Sequence, residues 1–164
     1  MNEQKWSRLL KIFSLLIPTS YAFFVSIDNA IFAWNDNYQF VKHVMSMDTV
    51  KTSVNWRSIN TPILWEISYN LLIIFEIATF LTGVIGLIQL IKNFNKEKKI
   101  FEKSKFFGYI TFFLSILVWF FGFIDIGGEW FKMFLSPSWN GQPIAMWLSI
   151  LFCVLLILFN QAEQ

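Results

Sequence analysis

Histidine and cysteine are almost missing from this chain: His43 and Cys153 are the sole members of their types among 164 residues. One cysteine closes no intramolecular disulfide and builds no cysteine-based zinc motif. Cys153 lies in an apolar run, where a small buried or lipid-facing side chain is the ordinary reading. A single histidine leaves no Ser-His-Asp pattern with a recognisable elbow, and no glycine-rich phosphate loop is present. Met45 and Met47 follow His43 closely, but the spacing of His43, Asp48, Asp125 and Glu129 matches no metal-ligand motif. The expectation is therefore a protein without catalytic activity, metal or cofactor. Charge is scarce as well, at 15% of residues and a net +2, which gives no footprint for nucleic acid.

What the chain does have is apolar surface, at 55% hydrophobic and 20% aromatic residues. A soluble domain has no means of hiding that much. A membrane-crossing helix takes about 20 apolar residues, and the hydropathy pattern predicts spans over about 9–34, 63–91, 106–126 and 144–159. The expected fold is all-α, an antiparallel four-helix transmembrane bundle filling one domain, 1–164. Loops 35–62 and 127–143 lie on one side and loop 92–105 on the other. Phe40, Val41, Val44 and Met47 recur at helical spacing, which places a short amphipathic helix in the first loop, capped by Asp36 or Asn37.

Ser20-Tyr21-Ala22 has the small-residue look of a signal-peptide cleavage site, yet apolar character continues well past it, so an uncleaved first helix kinked at Pro18 is expected. The N-terminal segment and loop 92–105 hold nine Lys and Arg, against four (Lys42, Lys51, Arg57, Lys132) in the other two loops. By the positive-inside rule both termini are expected in the cytoplasm.

Glu76 falls in mid-span, where an ionised carboxylate costs several kcal/mol. A neutral carboxyl hydrogen-bonded to Tyr21 or Ser115 is expected. Tyr69, Glu76 and Gly83 repeat every seven residues, flanked by Thr79 and Gly86, and the third span has a matching stripe at Gly108, Ser115 and Gly122. Such small seams let membrane helices approach closely, so spans two and three are expected to pack together.

The external loops gather the remaining chemistry. His43, Asp48, Trp56, Arg57 and Glu66 come from the first loop and its flank. Asp125, Gly127, Gly128, Glu129 and Trp130, then Trp139, Asn140 and Gln142, come from the second. Arg57 is expected to bind Glu66, Asp125 or Glu129. Gly127-Gly128 is expected to end the third helix, with Pro143 in the first turn of the fourth.

On the motifs His43-Val44-Met45-Ser46-Met47-Asp48-Thr49, Trp56-Arg57, Gly127-Gly128-Glu129-Trp130-Phe131 and Trp139-Asn140-Gly141-Gln142, with Glu76 in the second span, the chain resembles a bacterial family of predicted small integral membrane proteins, domain of unknown function 2165. The resemblance implies a four-helix inner-membrane protein and no particular activity. The leading expectation is an accessory or scaffold protein whose external cap meets lipid headgroups, a membrane protein partner or a second copy of the chain. The competing readings are proton- or cation-coupled transport or sensing through Glu76 and the outer carboxylates, and, third, an enzyme acting on a lipid headgroup.

Overall fold

The computed structural model describes residues 3–162. Their regular structure is helical, with no strand, and four stretches are long and apolar enough to cross a membrane: Glu3–Phe32, Pro62–Lys92, Lys98–Trp130 and Gln142–Asn160. Helix α1 covers Glu3–Ile27 and runs on through a wide π turn, Asp28–Phe32; α2 covers Trp34–Ser46 and α3 Pro62–Lys92. Helix α4 is short, Lys98–Lys103; α5 covers Phe106–Ile116 and continues as a π-helix over Leu117–Trp130; α6 covers Gln142–Asn160.

The physics of the bundle is clearest in α3. Ile67, Leu71, Ile74, Leu81, Ile85 and Ile88 recur at helical spacing and are exposed, while Tyr69, Glu76, Thr79, Gly83 and Gly86 on the opposite face are buried. Large apolar groups outside with small and polar groups inside is the reverse of a soluble helix, and suits a hydrocarbon solvent. Pro62 opens the helix, where its missing N–H costs nothing. At about 1.5 Å per residue α3 is about 46 Å long, more than a hydrocarbon core of about 30 Å requires.

The small seam of α3 faces two partners. A Cβ on Gly83 would lie 2.2 Å from Thr19 Oγ1 of α1, and one on Gly86 would lie 2.9 Å from Leu15 of α1 and 3.1 Å from the Gly108 nitrogen of α5. Thr111 also donates a hydrogen bond to Thr82, 3.1 Å, joining α5 to α3. The expected contact between spans two and three is present, but α1 takes the Gly83 position. Gly122 plays no part, since a Cβ there meets only the Leu117 carbonyl at 3.8 Å.

Along α1, Arg8 donates to the carbonyls of Phe94 and Lys96, Thr19 meets Gly83, and Asn29 meets Glu76, so α1 and α3 run in opposite directions. Pro18 does not interrupt α1. The irregularity comes later, in the π turn, which the Ala33 N–H closes by bonding Asp28 O at 2.8 Å. Helix α2 begins at Trp34 without a side-chain cap, so Asp36 and Asn37 lie inside its first turn rather than capping it.

Two apolar plugs close the bundle. At the end bearing α4, Leu15, Leu90, Phe101, Phe112, Phe152 and Phe159 form one buried cluster, with the Arg8 guanidinium 4.4 Å from the Phe101 ring. At the other end, Val44, Met45, Met47, Val50, Phe131 and Met133 form a second cluster. It joins the loop after α2 to the loop after the third span, and Thr49 and Ser136 share a hydrogen bond of 2.8 Å beside it.

Gly83→Ala is expected to lower stability by about 1–3 kcal/mol through overpacking. Thr19→Ala in the same chain should recover part of the loss, as followed by unfolding in mild detergent under circular dichroism. Equal losses in the single and double variants would place the strain elsewhere.

Candidate functional site

Between the two plugs lies a polar interior built on Glu76. The π turn after α1 brings Asn29 inward, and its Nδ2 donates to both carboxyl oxygens of Glu76, at 2.9 Å to Oε1 and 2.8 Å to Oε2. Asn29 is held in turn. Asn37 Nδ2 of α2 donates to its side-chain oxygen at 2.7 Å, and the Tyr69 hydroxyl donates to its backbone carbonyl at 2.8 Å. Glu76 and Asn29 are both buried.

The partners expected from sequence are not the ones that bond. Ser115 donates to the Thr111 carbonyl of its own helix at 2.8 Å, and Tyr21 sets its ring edge-on against Trp119 and Phe152. Both line a small void beside Glu76, without bonding to its carboxyl. Sequence reasoning passes over Asn29 because it lies inside the span predicted over 9–34, and hydropathy alone does not say that it turns inward. The clue available was the pair of amides Asn29 and Asn37, two turns apart.

A cavity of about 570 Å³ opens on the cap side of Glu76. Tyr21, Phe24 and Asn29 of the first span, Phe40 of α2, Tyr69 of α3 and Ile144 of α6 are among its lining residues. Trp119 and Phe123 of the π segment complete the wall. They are four residues apart, a spacing that sets two side chains one above the other on a helix face. The two rings accordingly stack with centroids 4.8 Å apart. On the far side of Glu76 only a void of about 10 Å³ follows, about the least that holds one water.

Over this interior the residues of loops 35–62 and 127–143 form a cap. The His43 ring stacks on Trp139 at 4.5 Å and 8°, and its Nδ1 is 2.6 Å from Asp48 Oδ2. Asn140 Oδ1 accepts from the Gln142 N–H at 3.1 Å, at the start of α6. Arg57 lies near two exposed indoles, 5.4 Å from the Trp56 ring and 4.9 Å from that of Trp130. It reaches the segment the sequence pointed to, but not through a carboxylate. Its Nη1 donates at a long 3.4 Å to the backbone carbonyls of Glu129 and Trp130, while the Glu129 carboxylate pairs with Lys132 at 3.1 Å. The Arg57 Nε is buried with no acceptor. Glu66 is exposed on the first turns of α3, and Asp125 forms no hydrogen bond or ion pair among the described residues, so neither closes the cap.

Gly127 and Gly128 do not end the third helix, which continues to Trp130. Both are buried, neither has positive φ, and a Cβ on Gly128 would lie 2.9 Å from the Gln142 amide nitrogen. They serve close approach. The chain instead reverses at Lys132, φ 53°, a left-handed position that a non-glycine residue seldom occupies. Among the described residues no three His, Cys, Asp or Glu side chains converge as metal ligands.

A family model described as predicted small integral membrane protein (DUF2165) matches residues 7–162. Comparison with curated proteins and with solved structures finds no match.

Asn29→Ala strips the buried carboxyl of its donor and is expected to cost about 1–3 kcal/mol. Asn29→Asp should cost more, by setting a second carboxyl against the first. Adding Glu76→Gln should restore most of the stability of Asn29→Asp, as read from detergent unfolding curves. If Asn29→Asp proves as stable as the native chain, the Asn29–Glu76 bond is not structural.

Proposed function

The chain belongs to the family of predicted small integral membrane proteins DUF2165, and from that premise we propose that it is an accessory protein of the bacterial inner membrane whose cap binds phosphate-bearing lipid headgroups. Both termini face the cytoplasm in this reading. Its support is the charge distribution, nine basic residues at the terminal end against four at the cap end.

The observation that carries the reading is the setting of Arg57. A guanidinium has five N–H donors in a fork that matches phosphate oxygens, and here the two bonds of Nη1 are long. Trp56 and Trp130, 72% and 47% exposed, are the side chains that settle at headgroup level. An anionic phosphate entering between the two indoles gives the cation the acceptors that the protein supplies only weakly. Beneath, the apolar cluster of Val44, Met45, Phe131 and Met133 keeps the platform in one shape.

Transport through Glu76 has less support. A proton or cation path needs successive stations, and beyond Glu76 the interior narrows to a void of about 10 Å³ lined mainly by apolar side chains.

Native mass spectrometry of the full chain in mild detergent with added phosphatidylglycerol tests the reading. Arg57→Gln should lose most of the bound lipid and Arg57→Lys should keep part of it. Equal retention by all three proteins would defeat it, as would a co-purifying protein partner displaced by Arg57→Gln while lipid binding stayed unchanged.

A further inference from the structure

The cavity above Glu76 is a separate feature from the cap surface, and its chemistry is of the opposite sign. We propose that it is a binding site for a lipophilic organic cation, an alkyl- or aryl-substituted onium ion or amine, which enters from the bilayer and sets its charge against Glu76. Nothing in this assignment rests on the lipid reading of the cap.

Four observations converge on it. The first is size. About 570 Å³ falls within the range of cavities that enclose small organic ligands, about 300–1,000 Å³.

The second is charge. Asp28 and Glu76 are the ionisable acids of the lining, and no Lys, Arg or His shares it. An anionic or phosphate-bearing head has no counter-charge there, whereas a cation meets two acids, Asp28 and Glu76, and its approach itself favours the ionised form of the buried Glu76 carboxyl. Each Glu76 oxygen accepts one bond, and both bonds come from the same Asn29 nitrogen. A carboxylate has about four acceptor positions, so capacity remains on the group facing the cavity.

The third is the wall. Tyr21, Phe40, Tyr69, Trp119 and Phe123 bring aromatic rings to one chamber, and an onium ion near ring faces gains cation–π attraction without needing hydrogen bonds. Trp119 and Phe123 stack on each other, and Asn29 is held at its side-chain oxygen by Asn37 and at its backbone carbonyl by Tyr69. The site is therefore shaped in advance, which lowers the ordering cost of binding.

The fourth is access. Phe24, Phe32 and Ile144 line the same cavity and are 68%, 78% and 62% exposed on the first and fourth spans. An opening bordered by such residues faces hydrocarbon, so a ligand reaches it by first dissolving in the membrane.

Tetraphenylphosphonium is the probe, with the full chain in lipid nanodiscs and binding followed by equilibrium dialysis. The expected result is saturable one-to-one binding, weakened by about tenfold or more in Glu76→Gln. Tetraphenylborate, of the same shape and opposite charge, should not bind saturably. Leu72→Trp fills the chamber from α3 and leaves the Asn29–Glu76 bond in place, so it should abolish binding while the helical spectrum is kept. Undiminished binding in a folded Leu72→Trp protein would overturn the assignment. So would equal binding by the native chain and Glu76→Gln, or tetraphenylborate binding as tightly as the phosphonium.

Discussion

A carboxyl group in the middle of a membrane bundle survives only with hydrogen-bond partners, and much of this molecule is arranged so that Glu76 has one. Asn29 reaches it because the first span leaves α-helical pairing over Asp28–Phe32, and Asn29 stays in place because α2 folds back to present Asn37 and α3 presents Tyr69. The first span, the helix of the first loop and the second span are thus tied by one polar chain. The glycine and threonine seam beneath brings α1 and α3 close enough for that chain to close. In a solvent with no water to spare, the cost of leaving a buried acceptor bare makes such a network specify register as well as add stability.

The cap depends on the same geometry. Its apolar cluster unites two loops far apart in sequence, and the loops are brought together by the ends of α3 and the π segment. Arg57 and Trp130 meet only because the third span continues past Gly127 and Gly128, which carry no side chains to hold Gln142 away. What faces outward is a cation with two indoles, and what faces inward is a carboxyl among aromatic rings.

Hydropathy made the all-helical class and the four apolar stretches legible, because about 20 consecutive apolar residues between polar loops have few other uses. The seam at Tyr69, Glu76, Gly83 and Gly86 was legible from its period. Rotation was not: periodicity says which face is small, but not which neighbour it meets, so Thr19 was overlooked as the partner of Gly83. Composition is also silent on i→i+5 pairing, and the inward placement of Asn29 follows from such a stretch. The Gly127-Gly128 pair reads as a break by the habits of soluble helices, whereas in membrane helices small residues more often mark close contact. Arg57 was placed against the correct segment, but pairing by charge alone pointed to carboxylates. Backbone carbonyls and ring faces leave no trace in a count of acids and bases.

The position of Glu76 along α3 has an electrical consequence. By the α-helical rise it stands about 21 Å from Pro62 and about 24 Å from Lys92, close to the midpoint of that helix. Moving one elementary charge across the full membrane potential is worth about 2.3 kcal/mol per 100 mV. With the termini inside, as proposed, and Glu76 at mid-depth, a cation that reaches it from the outer solution by way of the bilayer has crossed about half of that field in its favourable direction. The resting potential of an energised cell therefore strengthens its hold by about 1 kcal/mol per 100 mV. Occupancy of the chamber becomes a function of voltage, with no moving part in the protein.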